Sequence, residues 1–211
     1  NKSIVDKKKN KNEFNCSDKN HILAEIFYVV SNALSNQLNY ELSNFYINLA
    51  KYLNPKFLSF ESLLAENLFI LKKYNKSVKS YNKLSKIGSV YSWYAEKQIA
   101  FIFYDQDKKN YAIESLKRAY QKINPDIYQI YDFANFLRNN EKYVEAITLY
   151  SNILSKINKS NDLYPKILDK RGTSYERINK LDLSEKDLLE SLKFIPDQPY
   201  VINYLAYSWI E

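Results

Sequence analysis

The stretch EKYVEAITLYSNIL runs from Glu141 to Leu154 and holds a small residue at Ala146, an aromatic residue at Tyr150 and a branched residue at Ile153. Steps of four and three residues keep these side chains on one face of an α-helix. The same pattern, a small residue followed four positions later by a large one, also starts at Ser43, Ser77, Ala112 and Ser184. A helical spacing that recurs along the chain predicts a repeat and not a single amphipathic helix.

A second set of small residues lies twelve positions before the first set. Its members are Ser31, Ala65, Ala100, Ala134 and Gly172, with a further one at Ala206, and their separations are 34, 35, 34, 38 and 34 residues. Small residues let paired helices approach closely, and large neighbours fill the groove beside them. One such pair cannot bury its apolar face alone, so the pattern predicts an all-α solenoid of stacked antiparallel helix pairs.

This small–large pattern with a period near 34 residues resembles the tetratricopeptide repeat. The resemblance implies an all-α, right-handed superhelical solenoid over residues 21–211. The implied repeats span about 24–57, 58–92, 93–126, 127–164 and 165–198, and the first helix of a sixth spans 199–211. Residues 1–20 are rich in Lys and Asn and poor in apolar residues, which predicts a flexible leader.

Several positions depart from the family pattern. Glu61 and Glu96 stand where the family usually has a bulky residue, and Arg171 stands at an apolar position. The separation of 38 adds four residues near positions 157–165, which predicts a longer helix or loop between the fourth and fifth repeats.

The segment 180–209 resembles more narrowly the end of long repeat proteins of alphaproteobacteria, many of which are exported to the cell envelope. This resemblance implies an envelope or periplasmic location, and a cytoplasmic location stays open. The chain starts at Asn1 without a Met and stops inside the sixth repeat. We therefore expect it to be part of a longer protein.

The composition argues against catalytic, metal and cofactor chemistry. The 211 residues include one histidine, His21, and one cysteine, Cys16, so the chain lacks a second Cys/His pair for zinc and cannot form an internal disulfide. The two glycines, Gly88 and Gly172, do not form a phosphate-binding loop. No apolar run approaches the roughly 18 residues of a membrane helix. We therefore expect no enzyme activity, no cofactor, no metal and no membrane span in this segment.

The family resemblance implies a non-catalytic scaffold that holds a protein or peptide partner in a concave groove lined by the first helix of each repeat. The residues predicted to line this groove are Tyr28, Asn32, Lys97, Phe101, Tyr104, Tyr131, Asn135, Arg138, Lys170 and Arg177, with docking mostly between the third and fifth repeats. Rigid tyrosine rings and Asn amides suit an extended peptide. The alternative, that a compositional bias toward Tyr and Asn places them there, stays open.

A subtype of the family grips a C-terminal carboxylate with Lys and Asn one helical turn apart. The matching pairs here are Tyr28/Asn32 and Tyr131/Asn135, so this clamp is not predicted.

Two other functions compete with peptide binding. In an RNA-binding helical repeat, Lys97, Arg138, Lys170 and Arg177 would contact phosphates. The net charge of +7 rests mainly on Lys, and acidic residues are interspersed among the basic ones, so we expect no nucleic-acid partner. In a purely architectural protein, the array would be a spacer or an oligomerisation segment that associates with itself.

Overall fold

The computed structural model describes residues 14–58 and 60–208, where eleven α-helices and no strand occur. The helices are α1 (Lys19–Asn36), α2 (Tyr40–Leu53), α3 (Phe60–Ile70), α4 (Tyr74–Leu84), α5 (Ser89–Asp105), α6 (Lys109–Gln121), α7 (Ile127–Asn139), α8 (Tyr143–Leu154), α9 (Leu163–Arg177), α10 (Leu181–Phe194) and α11 (Pro199–Ser208). The predicted all-α class is confirmed. Residues 1–13 of the predicted leader and the last three residues of the predicted sixth repeat lie outside the described residues.

Contacts divide the described residues into two compact units, one up to Ala112 and the other from Ile113 onward. In the first unit, α1 packs on α2, α2 on α3, α3 on α4 and α4 on α5. In the second unit, α7 packs on α8, α8 on α9, α9 on α10 and α10 on α11. Contacts between consecutive helices are what a stacked repeat requires. The boundaries of the repeats stay a prediction.

Small residues lie where the paired helices of the first unit cross. Ser31 and Ser43 are fully buried and exchange hydrogen bonds, because the Ser31 hydroxyl donates to the Ser43 carbonyl (2.6 Å) and the Ser43 hydroxyl donates to the Ser31 carbonyl (2.8 Å). Ser77 repeats half of this contact by donating to the carbonyl of Ala65 at 2.7 Å. Each buried hydroxyl thus has a hydrogen-bond partner on the paired helix, at a close contact that larger side chains would prevent.

The second unit has residues without hydroxyls at most of these positions, and Ser184 is the exception. Ala134 and Ala146 are fully buried between α7 and α8. Gly172 lies so close to α10 that a Cβ there would stand 2.9 Å from the Cγ atom of Leu188. Ala206 is exposed, since no second helix pairs with α11 among the described residues.

Each turn inside a helix pair closes by the same backbone geometry. The residues with left-handed φ are Leu38, Lys72, Asp107, Glu141 and Asn179, and none of them is glycine. The amide of the next residue donates to the carbonyl five residues earlier at 2.8–2.9 Å, as in Asn39 to Leu34 and Lys73 to Leu68. This is the Schellman arrangement that satisfies the last carbonyls of a helix.

Glycine at position 38 is expected to stabilise the protein by about 0.5–1 kcal/mol. Leu38 has φ of 63° and is exposed, so its Cβ carries the left-handed penalty without packing in return. Urea unfolding of Leu38→Gly measures the gain. Asn179→Gly is the matched control and should change stability little, because Asn tolerates φ of 58°. A stability loss in Leu38→Gly would contradict the argument.

Glu61, which departs from the family pattern, is buried in an ion pair. Its Oε1 atom lies 2.6 Å from Nζ of Lys51 on α2 and 3.2 Å from Nζ of Lys83 on α4. Burial raises the pKa of Glu61, but hydrogen bonds from Lys51, Ser80 and Lys83 outweigh it, so the pKa lies below its ordinary value of 4.5. The carboxylate therefore joins three consecutive helices of the first unit.

We expect Glu61 to make stability fall at acid pH. A carboxyl group with a lowered folded pKa stabilises the fold fully above its unfolded pKa of about 4.5, and this contribution disappears as the pH falls through the folded pKa. Urea unfolding between about pH 7 and 3 should show a weaker pH dependence in Glu61→Gln than in the wild type. Glu114→Gln, at an exposed position of α6, should keep the wild-type dependence. Equal dependence in Glu61→Gln and the wild type would disprove this role.

Arg171, at a position that is apolar in earlier repeats, forms the corresponding ion pair of the second unit. Its Nε and Nη2 atoms donate to the two oxygens of Asp187 at 2.7 and 2.8 Å, and Nη1 donates to Ser151 at 2.9 Å. The Arg171 side chain is 19% exposed and that of Asp187 is 7% exposed. Arg171 therefore connects α9 to both α8 and α10, and its bidentate ion pair with Asp187 is mostly buried.

The long separation between the fourth and fifth predicted repeats corresponds to the loop at residues 155–162, between α8 and α9. Lys159 in this loop lies 2.7 Å from the carboxylate of Glu190 on α10. Hydrogen bonds from Lys159 and then from Lys193 lower the pKa of Glu190 to about 2. The loop is thereby tied to the second unit by a surface ion pair.

Candidate functional site

One face of α7 carries a polar and aromatic row in the second unit. Tyr128, Tyr131, Asn135 and Arg138 are spaced by three, four and three residues, so they lie along one side of the helix. Tyr128 is 67% exposed, and the other three side chains are half-buried. Tyr131, Asn135 and Arg138 belong to the residues predicted to line the groove, and the helix brings them together.

A buried tyrosine from the paired helix holds this row in place. The Tyr150 hydroxyl on α8 donates to Oδ1 of Asn135 at 2.7 Å, and its ring centroid lies 6.3 Å from that of Tyr131. Burial raises the pKa of Tyr150, so its hydroxyl stays protonated as a donor. The bond fixes the Asn135 amide with its oxygen inward and leaves Nδ2 as the group that can donate to a ligand.

The neighbouring first helix, α9, contributes the other predicted residues of this unit. Nη2 of Arg138 donates to Oγ1 of Thr173 at 3.0 Å, which connects α7 to α9. Nζ of Lys170 lies 2.8 Å from Oδ2 of Asp169, and Nε of Arg177 lies 3.2 Å from Oε2 of Glu176. Acidic neighbours on α9 thus balance the positive charges of Lys170 and Arg177.

Two polar atoms of this face are buried without a hydrogen-bond partner in the described structure. They are Nε of Arg138 and Oδ1 of Asp169. Nη2 of Arg138 donates to Oγ1 of Thr173, and Oγ1 of Thr173 donates to the carbonyl of Asp169 at 3.0 Å. The face therefore has two hydrogen-bonded groups, Tyr150 with Asn135 and Arg138 with Thr173 and Asp169.

The predicted residues of the first unit lie on α1 and α5, and those on α1 make contacts within the protein. The Tyr28 ring packs 5.1 Å from that of Phe60, and the Asn32 amide donates to the Tyr28 carbonyl at 3.0 Å. On α5, Lys97 is half-buried and Phe101 and Tyr104 are exposed. The α5 residues therefore present more aromatic surface to solvent than Tyr28 does.

A second hydroxyl network in the first unit matches the one in the second. Tyr81 occupies the place in α4 that Tyr150 occupies in α8, and Glu66 occupies the place of Asn135. Here the Tyr94 hydroxyl donates to Oε1 of Glu66 at 2.5 Å, and the rings of Tyr81 and Tyr94 lie 6.1 Å apart. Burial, and then the bond to Glu66, raise the pKa of Tyr94.

The small–large spacing predicts that Tyr81 and Tyr150 fill the groove between paired helices, and it does not indicate what their hydroxyls contact. Both rings are buried as predicted. The available signal was that the same position in the other second helices is aliphatic, with Ile47, Leu116 and Leu188. A tyrosine there brings a hydroxyl that needs a polar partner once it is buried.

Within the part of the chain that the structure describes, no group of three or more His, Cys, Asp or Glu side chains could hold a metal ion. The described helices also include none with the length and apolar character to cross a membrane.

Comparison with known proteins gives similarity at the level of structure. No protein-family model matches the chain, and neither does any curated protein. The solved structure of YrrB, a TPR protein, aligns over 85% of this chain and 90% of its own with a TM-score of 0.57 and 13% identity. TTC0263, a TPR protein of Thermus thermophilus, aligns over 89% and 100% with a TM-score of 0.53 and 14% identity. PilF of Pseudomonas aeruginosa aligns over 87% and 82% with a TM-score of 0.58 and 12% identity.

The narrower resemblance to alphaproteobacterial repeat proteins stays a prediction. The broader one is confirmed, because the antiparallel helix pairs and these solved structures agree: the chain has the tetratricopeptide repeat fold.

Proposed function

We propose that the chain is a non-catalytic scaffold that binds an extended segment of a protein partner on the α7–α9 face. The observation that carries this proposal is the Tyr150–Asn135 hydrogen bond, which orients an amide on a row with two tyrosine rings. An amide held with its nitrogen free to donate can bind a peptide carbonyl without first losing its own freedom. We also propose that the repeats have the boundaries given in the sequence analysis.

The charge balance of this face favours a peptide over a polyanion. Lys170 and Arg177 each lie beside an acidic residue of α9, and Arg138 bonds to Thr173. Affinity for nucleic acid comes from neutralising phosphate charge with basic groups, and acidic neighbours reduce the positive charge available for this. The solved structure of YrrB is described as having an unusual peptide-binding site, which supports the same class of ligand for this fold.

A peptide-display library selected on the immobilised chain tests the proposal. We expect Tyr128→Ala and Tyr131→Ala to weaken binding of the selected peptides at least about tenfold, since truncating an aromatic hot-spot residue costs about 2 kcal/mol or more. Tyr52→Ala is the matched control, because Tyr52 is an exposed tyrosine on α2 in the other unit. Equal peptide affinity in all three variants would show that the peptide binds elsewhere on the protein.

An RNA-binding assay tests the alternative function. A single-stranded RNA probe that shifts at about 50 mM salt and is released steeply as salt rises would favour nucleic-acid binding. We expect no shift. A shift lost in Arg138→Gln would replace the peptide proposal.

A further inference from the structure

The outward side of α2 is apolar and exposed. Leu42, Phe45 and Tyr52 are 41%, 57% and 84% exposed, and Leu49 between them is half-buried. Their spacing of three, four and three residues keeps these side chains in one line, on the side of the helix opposite the buried Ile47. We call Leu42, Phe45, Leu49 and Tyr52 the apolar stripe. A contiguous apolar surface that is exposed to solvent marks an interaction site.

The same positions of α4 and its C-terminal end are occupied by lysines. The residues 34 positions after the apolar stripe are Lys76, Lys79, Lys83 and Lys86, which we call the lysine stripe. All four are exposed, and residues 71–87 contain no acidic side chain. Like charges one helical turn apart destabilise a helix, so a ligand of opposite charge would relieve the repulsion within this line.

Ionic contacts at both ends hold α2 and α4 side by side. At the start of the two helices, Nζ of Lys73 lies 3.4 Å from Oε1 of Glu41. Toward their ends, Nζ of Lys51 and Nζ of Lys83 lie 2.6 and 3.2 Å from the same Oε1 atom of Glu61. The helices therefore run in the same direction, and both pack on α3. Because each stripe lies opposite the buried side of its helix, the two stripes form adjacent lines on one outer surface.

The fold itself requires neither an apolar nor a basic residue at these positions. In α8 and the residue that follows it, the same four positions are Glu145, Thr148, Asn152 and Ser155. The apolar stripe and the lysine stripe are therefore properties of α2 and α4 and not of the repeat.

We propose that α2 and α4 together bind the surface of an anionic lipid bilayer. The apolar stripe enters the boundary between the lipid headgroups and the acyl chains, and the lysine stripe contacts the anionic headgroups. Helices that lie in a membrane interface combine an apolar line with lysines in this way, and each lysine near an anionic leaflet is attracted to it. The contact uses other helices than peptide binding at α7–α9, so each of the two proposals can be tested without the other.

The arrangement favours a lipid surface over a protein helix or a nucleic acid. Both stripes lie on the outermost line of their helices, which a flat bilayer can touch at once, whereas a partner helix docks in a groove. The lysine stripe contains no arginine, the residue that nucleic-acid recognition favours. Leu42 and Leu49 of the apolar stripe have no ring on which a base could stack.

Co-sedimentation of the whole chain with lipid vesicles tests the proposal. We expect partitioning into vesicles of phosphatidylcholine with about 30% phosphatidylserine to exceed that into vesicles of phosphatidylcholine alone at least about tenfold. Lys76→Gln with Lys79→Gln should weaken partitioning into the anionic vesicles at least about tenfold, because two headgroup contacts are lost. Lys156→Gln with Lys186→Gln is the matched control, since it removes the same charge from exposed positions of the second unit, and it should leave partitioning unchanged.

Phe45→Ser tests the apolar part of the contact. Partitioning into the same anionic vesicles should fall at least about fivefold, because the ring no longer leaves water on binding. Val144→Ser is the matched control, because Val144 on α8 is 65% exposed, and it should bind like the wild type. Far-ultraviolet circular dichroism checks that each variant keeps its helices.

Three outcomes would overturn the lipid surface as partner. The first is the absence of binding, or equal binding to neutral and anionic vesicles. The second is vesicle binding that either the double lysine variant or Phe45→Ser leaves intact, or that the control variants lose equally. The third is a single-stranded RNA probe that binds the wild type and not the double lysine variant, while anionic vesicles bind neither. That result would assign the lysine stripe to a nucleic acid.

Discussion

Asp187→Leu is expected to lower the free energy of unfolding by about 3–5 kcal/mol. The substitution removes both oxygens that receive hydrogen bonds from Arg171 and leaves a guanidinium group that is 19% exposed. The cost arises from this charge, which is mostly out of water and has lost its counter-ion. Urea unfolding, followed by circular dichroism, measures the change.

The double variant Arg171→Leu with Asp187→Leu should recover most of that loss. Leucine stands at the corresponding positions of earlier repeats, as Leu64 and Leu149, so both changes follow what the fold already accommodates. Replacing a buried pair with apolar residues is often neutral. Lys193→Ala removes one partner of an exposed pair and should cost less than about 1 kcal/mol. A double variant as unstable as Asp187→Leu would show that packing, not charge, is the cause.

Tyr150→Ala is expected to cost about 3–5 kcal/mol. The Tyr150 side chain is fully buried between α7 and α8, and its removal leaves a cavity that the helices cannot close. The same loss should appear in thermal unfolding of the whole chain. A loss below about 1 kcal/mol would show that the second unit rearranges to fill the space.

Tyr150→Phe separates packing from groove chemistry. The ring stays, and only the hydrogen bond to Oδ1 of Asn135 is lost, at a cost of about 1 kcal/mol. Because the Asn135 amide is then free to rotate, selected peptides should bind more weakly although the protein remains folded. Unchanged peptide affinity in Tyr150→Phe would mean that Asn135 does not contact the ligand.

The helix pairs could be predicted because contacts between consecutive helices depend on residue size at fixed spacing. Ala65, Ala100 and Ala134 were predicted at close contacts, and all three are fully buried. Size is visible in a sequence, and a period of 34 or 35 residues is enough to align the pairs. This part of the fold needed no knowledge of side-chain partners.

The ion pairs could not be predicted, because each joins residues whose proximity depends on the exact register of two helices. Glu61 and Arg171 were recognised as misfits, but Lys51 and Asp187 were not identified as their partners. The register of two packed helices determines which polar side chains meet, and a shift of one residue between the helices would separate them. A charged residue at a position that is usually apolar indicates that a partner exists but does not identify that partner.

The candidate site was predicted only in part. Tyr131, Asn135 and Arg138 lie together on α7, as their spacing required. The sequence did not reveal that Tyr28 packs against Phe60 or that the Tyr150 hydroxyl reaches Asn135. Both depend on side-chain direction at a helix crossing, which spacing alone does not specify.

The turns within the helix pairs explain how this architecture tolerates divergence. Backbone hydrogen bonds close each turn, and the left-handed position accepts Leu, Lys, Asp, Glu or Asn. The corner therefore forms without a glycine, so its sequence can vary while its backbone geometry stays the same. Such freedom is consistent with an identity of only 12–14% to solved proteins whose backbones align over most of the chain.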